Sequence, residues 1–316
     1  MIKFKWILYE IKWFFVRGFH FVFRKWFLSN KKYGGCVLKS AEDGNRYMYE
    51  RLKGNESFAF SRCSFSEMRL LIKILREHYY NKESKREYED MSCLIRGDET
   101  IKQAEYGFYE LMSEAIRSTD LLGIWKLLPM ADAVVAIQPA KNRPITAYAE
   151  CVEPYYYDMP WTKALEGKKV LVVSPFSNEV RAQYQNREHL WENENILPEF
   201  TLDTEDSIWY FDGHRDPRFK DWYEVYDYLY EAIMKHDFDV ALLGCGMFGF
   251  PLSARIKRAG KQAVHMGGAI QLLFGIKGNR WDKMPEINKY YNDYWIRPGE
   301  QSKPKAGEML DGGCYW

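Results

Sequence analysis

Apolar residues near the start of the chain recur at Phe4, Leu8, Ile11, Phe15, Phe19, Val22 and Trp26, in steps of three and four. At about 3.6 residues per helical turn they form one continuous stripe, with Lys3, Glu10, Arg17 and Arg24 roughly opposite. A spanning helix is excluded, because no ten consecutive residues here lack a charge and a span needs about 20 mostly apolar positions. Without a small-residue cleavage site the segment does not read as a signal peptide, and it is expected to be retained. Two readings fit the stripe: an interfacial helix on an anionic membrane surface, or a helix docked on its own domain or on a partner chain. The mixture of Trp and Phe with Lys and Arg favours the first.

Beyond this helix the pattern breaks at Lys31 to Gly35, and the body is expected to begin near residue 40. SFAFSR (57–62) reads as a short buried strand. A helix follows from Ser66, a candidate N-cap, to about Tyr80, with Met68, Leu71, Ile72 and Leu75 on one face. A long amphipathic helix is expected from Asp98 to about Ser118, then a strand at AVVAI (133–137). KKVLVVSPF (168–176) is a β-branched buried strand with a Pro-marked exit, IWYF (208–211) is a further strand candidate, and 219–236 reads as a helix. FDVALLGCGMFGFPLSARIKRAGKQAVHMGG (238–268) parses as strand, glycine turn, helix, strand, glycine turn. This alternation predicts an α/β fold with a Rossmann-like, mostly parallel sheet and flanking helices, preceded by the amphipathic helix. The expected division is a basic membrane-surface helix at 1–32, a catalytic domain at 40–290 and an irregular tail packed on the body at 291–316.

A chain of 316 residues, 47% hydrophobic and 28% charged, is long and apolar enough for an enzyme-sized core and is not a disordered chain. Charge is unevenly placed: residues 1–32 carry eight Lys or Arg against Glu10 alone, a net +7 beside +1 for the whole, which leaves −6 on the rest. The cations lie along one helix and the body is acidic, so nucleic-acid binding is not expected. Six cysteines without a CxxC pair or metal-ligand spacing indicate neither a zinc site nor a disulfide framework, and point to a cytoplasmic protein.

The clearest chemical signal is GCGMFG at 244–249, a GxGxxG spacing directly after an expected strand and opening an expected helix. Gly244 would permit the tight turn, Gly246 would let a diphosphate approach the backbone, and Gly249 completes the motif at the helix N-terminus, where unpaired N–H groups favour anions. The competing reading is that these glycines only allow close packing of helix on strand. A dinucleotide site wants an acidic residue near the end of the next strand for the ribose hydroxyls, and QAVHMGG offers His265 instead. His265, Gly267 and Gly268 make a second turn at the ligand-binding edge of the sheet. There His265 could contact a donor or be an ordinary histidine satisfied by a backbone carbonyl.

LLGCGMFGFPLSARIKRAGKQAVHMGGAIQLLFGIKGNRWD, with KVLVVSPFSNEVRAQYQNREHLW and the closing DGGCYW, resembles the GT-D fold glycosyltransferases, in particular a branch among bacterial surface-polysaccharide enzymes. The resemblance covers roughly residues 45–316 and is densest from 168 onward. It implies a Rossmann-like catalytic domain moving a sugar from a nucleotide-sugar donor, UDP-sugar favoured, to a glycan, lipid-linked or protein-linked acceptor, and the basic helix would hold such an enzyme peripherally at the inner face of the cell membrane. In that family an Arg after the first strand is followed by an Asp-x-Glu that holds a divalent metal. In SRCSFSEM, Arg62 and Glu67 match while Phe65 stands at the Asp position. One carboxylate is a poor site for Mn²⁺ or Mg²⁺, which want several oxygen ligands, so no metal ligand set is assigned. Glu67 is instead the candidate general base, with Arg62 pairing to it or to donor phosphate. Asp120 resembles a position near the donor. Asn178, Gln183 and Arg187 follow the strand at 170–174, and Arg280 with Trp281 is placed to close over the nucleotide. An NAD(P)-dependent oxidoreductase or epimerase and a non-catalytic nucleotide-binding scaffold are the alternatives.

Overall fold

The computed structural model describes residues 2–18, 31–80, 101–126, 128–211, 214–305, 307 and 311–316. Its centre is a nine-stranded sheet: β1 (Lys32–Tyr33), β2 (Cys36–Lys39), β3 (Phe58–Arg62), β4 (Leu121–Ile124), β5 (Ile145–Tyr148), β6 (Lys169–Ser174), β7 (Thr201–Asp206), β8 (Val240–Leu243) and β9 (Gln262–His265). The spatial order is β1-β2-β5-β4-β3-β9-β8-β6-β7, and every pairing is parallel except that of β1 with β2. Around it lie α1 (Ile2–Gly18), α2 (Ala41–Lys53), α3 (Phe65–Tyr80), α4 (Ile101–Ser118), α5 (Ala131–Ala136), α6 (Ser177–Tyr184), α7 (Arg187–Leu190), α8 (Trp222–Ile233), α9 (Gly249–Arg258), α10 (Ala269–Leu273) and α11 (Asn279–Asp282). This is the α/β fold the alternation predicts.

Both faces of the sheet are covered, which is why its strands read as unbroken apolar runs. Leu171, Val173, Ala241 and Leu243 point into one core with α3, α4, α8 and α9, while Val170, Val172, Val240 and Leu242 point into the other with α2, α6 and α10. The strand period of two thus divides one β-branched run between two cores. Three buried hydroxyls tie α9 beneath β3: Ser61 lies 2.7 Å from Ser253 and 2.5 Å from Thr119.

Several local expectations are corrected. AVVAI is helical, forming most of α5, and every residue of that helix is buried. A short apolar run buried on all sides carries no period that separates strand from helix. IWYF makes only an isolated bridge from Phe211 to His214, and the edge strand is the polar TLDTED of β7, which pairs with β6 alone. The cap of α3 is Ser64 rather than Ser66. The sheet starts at β1 and β2, before residue 40, because β2 hydrogen-bonds in parallel to β5.

α1 forms as the periodicity predicts, but the face that docks is the other one. Trp6, Trp13 and Val16 are buried against the body, whereas Phe4, Leu8, Ile11 and Phe15 are exposed. Asp132 of α5 fixes the docked face, accepting from Trp13 Nε1 at 2.7 Å and pairing with Lys12, and Arg76 of α3 lies 3.3 Å from Glu10. Phe19, Val22, Arg24 and Trp26, and the start of the helix expected from Asp98, lie outside the described residues. No helix among the described residues is long and apolar enough to cross a membrane.

Candidate functional site

In an open parallel sheet the crevice for ligand forms at the carboxyl ends of strands where the chain order reverses. Here that point is between β3, which leads on to β4 and β5, and β9, which closes the other half. Arg62 ends β3, His265 ends β9, and the first glycine turn leaves β8 beside them.

The three glycines of GCGMFG have different tasks. A Cβ on Gly244 would stand 2.4 Å from Ile270, and one on Gly249 would stand 2.3 Å from the His265 ring, so both serve close packing. Gly246 is different: its φ of +55° is left-handed, it is exposed, and a Cβ there would meet nothing within 4 Å. A single 3₁₀ turn (Gly246–Phe248) then runs directly into α9; the Phe248 amide donates to the Cys245 carbonyl at 3.3 Å, the Gly249 amide to the Gly246 carbonyl, and Pro251 has no N–H. Open space above a left-handed glycine at a helix start suits the close approach of an anion.

His265 is buried under this turn with its ring packed beneath Gly249, and its Nδ1 has no hydrogen-bond partner among the described residues. Desolvation, and secondly the charge of Arg62, push its pKa from 6.5 down to about 3. It is therefore neutral at neutral pH and fills the space beneath the glycine turn instead of offering a cation to a ligand.

Arg62 is the hub of the edge. Its guanidinium lies 3.5 Å from Glu153, which follows β5, and 5.5 Å over the ring of Trp125, which follows β4. A Cβ on Gly267, itself at φ +58°, would be 3.8 Å from Arg62, which brings the second glycine turn against the same guanidinium. The next residue, Gly268, abuts Arg280 and Tyr315, and Arg280 lies 4.9 Å from the Tyr315 ring centre. Phe176, after β6, and Trp209, after β7, extend the edge into an aromatic wall. Trp316 stands 6.3 Å from Phe176 and 5.6 Å from Trp209. Two arginines flanking a pair of glycine turns, with an aromatic wall beside them, can hold a diphosphate and its attached rings.

Glu153 has no counterpart among the expectations from sequence. Desolvation raises its carboxyl pKa above the usual value, against the lowering effect of Arg62. Such a carboxylate at a ligand edge is suited to accepting a proton.

Glu67 is not placed for that role. It is buried, and its Oε2 accepts from the Ser64 amide at 2.9 Å while Ser64 caps the Glu67 amide, a reciprocal capping box that starts α3. Phe65 stacks on Trp125 with ring centres 6.1 Å apart. Neither residue therefore fits a divalent cation at the Asp-x-Glu position, and among the described residues no cluster of three His, Cys, Asp or Glu is grouped to hold one. Asp120 precedes β4 at the opposite, amino-terminal edge, where it binds the Ala59 amide at 2.9 Å and Lys257 at 2.7 Å. It stands level with Ala59, three residues before Arg62, or about 10 Å at the strand rise of about 3.3 Å per residue. Gln183 is buried and spends its amide on the carbonyls of Gly275 and Tyr294. Arg187 pairs with Glu188 and with Glu199, which stands just before β7 at the amino edge. Asn178, in the first turn of α6, accepts from Arg181, and Trp281 is buried beside Arg280 and Gly268.

No protein-family model matches the chain, and no curated protein matches it. Two solved structures of domain of unknown function 1792 align with it, one of them a selenomethionine-substituted form. In each case 84% of this chain and 97% of the other are covered, at 11% identity and a TM-score of 0.41. One is described as having a distinct glycosyltransferase fold.

Proposed function

We propose that this chain is a glycosyltransferase that takes a sugar from a nucleotide-sugar donor, UDP-sugar favoured, and binds the donor diphosphate between Arg62, Gly246 and Arg280. The observation that carries the reading is the meeting of an exposed left-handed glycine at a helix start with two arginines at the switch point of a parallel sheet. The resemblance of residues 45–316 to GT-D glycosyltransferases supports the same class of donor. In this reading Glu153, and not Glu67, removes the proton from the acceptor hydroxyl. Arg62 lies against Glu153 and would neutralise it until donor phosphate competes for the guanidinium, so donor binding would free the carboxylate for its role. A neutral, buried His265 at the end of β9 gives no support to the dinucleotide alternative, which asks for a carboxylate there.

A thermal-shift screen of the full chain with nucleotide sugars and with NADH tests this. A donor at 100 times its dissociation constant adds about 2.7 kcal/mol of stability. Stabilisation by a UDP-sugar, abolished in Arg62→Ala and Arg280→Ala, is expected. Stabilisation by NADH alone would refute the proposal.

A further inference from the structure

α1 is apolar on two opposite faces, and one of them packs on the body. Trp6, Trp13 and Val16 are buried on the body. On the far side Phe4, Leu8, Ile11 and Phe15 are exposed by 64%, 49%, 50% and 43%, with Phe14 at 72% beside them. The buried Asp132, holding Lys12 and Trp13, prevents this outer row from rolling inward. An unbroken apolar row of this kind on a fixed helix marks an interaction surface.

Charge selects the occupant. Residues 1–32 carry a net +7 while the rest of the chain carries −6, and Lys3 and Lys5 border the exposed row. A second copy meeting this face would bring two strongly cationic segments together, whereas an anionic lipid surface would attract the segment and repel the body. We propose that the outward face of α1 is a docking surface for an anionic bilayer. The aromatic and aliphatic row enters the headgroup boundary, and the lysines meet lipid phosphate or carboxylate. The proposal assigns a surface made of residues other than those of the diphosphate site and does not depend on the donor. It does give that site a bearing, since the segment leaving β4 carries Trp125 beside Arg62 and then becomes α5, the brace of α1.

Flotation of the full chain with phosphatidylcholine vesicles, with and without phosphatidylserine, tests it without any nucleotide present. The wild type is expected to float with the phosphatidylserine vesicles and to lose binding in high salt. Phe4→Ser/Leu8→Ser/Ile11→Ser/Phe15→Ser should lower partitioning at least about tenfold at an unchanged far-UV spectrum, because the replaced side chains are exposed. Lys3→Glu/Lys5→Glu, which leaves the apolar row intact, should lower it by about tenfold or more. Wild-type protein that ignores anionic vesicles overturns the proposal, as does equal flotation of both variants. So does a dimer, seen by light scattering, that the first variant dissolves in the absence of vesicle binding.

Discussion

Acid should destabilise the fold through His265, and its contribution can be calculated. In the unfolded chain this imidazole takes up a proton near pH 6.5, whereas in the folded chain burial and Arg62 hold its pKa at about 3. Between these values the unfolded state binds more protons, so stability rises with pH and falls as the solution is acidified. For a folded pKa far below the range, lowering the pH from about 7.5 to about 5 removes about 2 kcal/mol from this residue alone. The perturbation is His265→Gln, which abolishes the titration. The assay is urea unfolding of wild type and variant at both pH values. Because every other titrating group is common to the two proteins, the difference between their pH dependences isolates His265. Wild type should lose about 2 kcal/mol more than the variant over this range. Equal losses would refute the buried, neutral state of the imidazole.

Other substitutions separate the parts of the edge. Gly249→Ala drives a methyl group into the His265 ring and should cost about 1–3 kcal/mol in urea unfolding, much of it recovered in the double variant with His265→Ala. Gly246→Ala meets no neighbour, so its cost should be the about 1–2 kcal/mol of left-handed strain, and the loss to look for by calorimetric titration is that of donor affinity. Glu67→Ala should lower stability by about 1 kcal/mol through the lost capping box and leave nucleotide-sugar affinity unchanged. Asp132→Ala strips Trp13 and Lys12 of their shared acceptor and should destabilise by about 1–3 kcal/mol, with easier proteolysis within residues 1–18.

What the sequence made legible follows from where the physics is local. β3 and β6 are aromatic and β-branched runs, and β8 and β9 short buried segments, bounded by charge, Gly or Pro, and burial on both faces preserves that signature. β7 escaped notice because it is an edge strand with polar side chains, and α5 because total burial erases its period. α1 has two apolar faces, so periodicity finds a helix and a stripe, but only the position of Asp132 decides which stripe is buried. Of the residues grouped at this edge, Gly246, Gly267 and Gly268 are legible because glycine turns leave a mark at known offsets from strands, whereas Arg62 and Arg280 are named only through the family resemblance. Glu153 lies in the irregular AECVEPYYY segment, where no period points to its neighbour, and its meeting with Arg62 is set by the pairing of β3, β4 and β5. Glu67 and Asp120 carry the right chemistry but are held by other contacts: Ser64-x-x-Glu67 is a capping-box pattern that the sequence itself carries, whereas the pair of Asp120 with Lys257 is invisible in a motif.

The account rests on where a diphosphate sits. A crystal structure of the full chain with a bound UDP-sugar tests this most directly. The account predicts phosphate oxygens within hydrogen-bonding distance of the amide at Gly246 and between the guanidinium groups of Arg62 and Arg280. A diphosphate bound away from β3, β8 and β9, with the space above Gly246 filled by protein side chains, would contradict it.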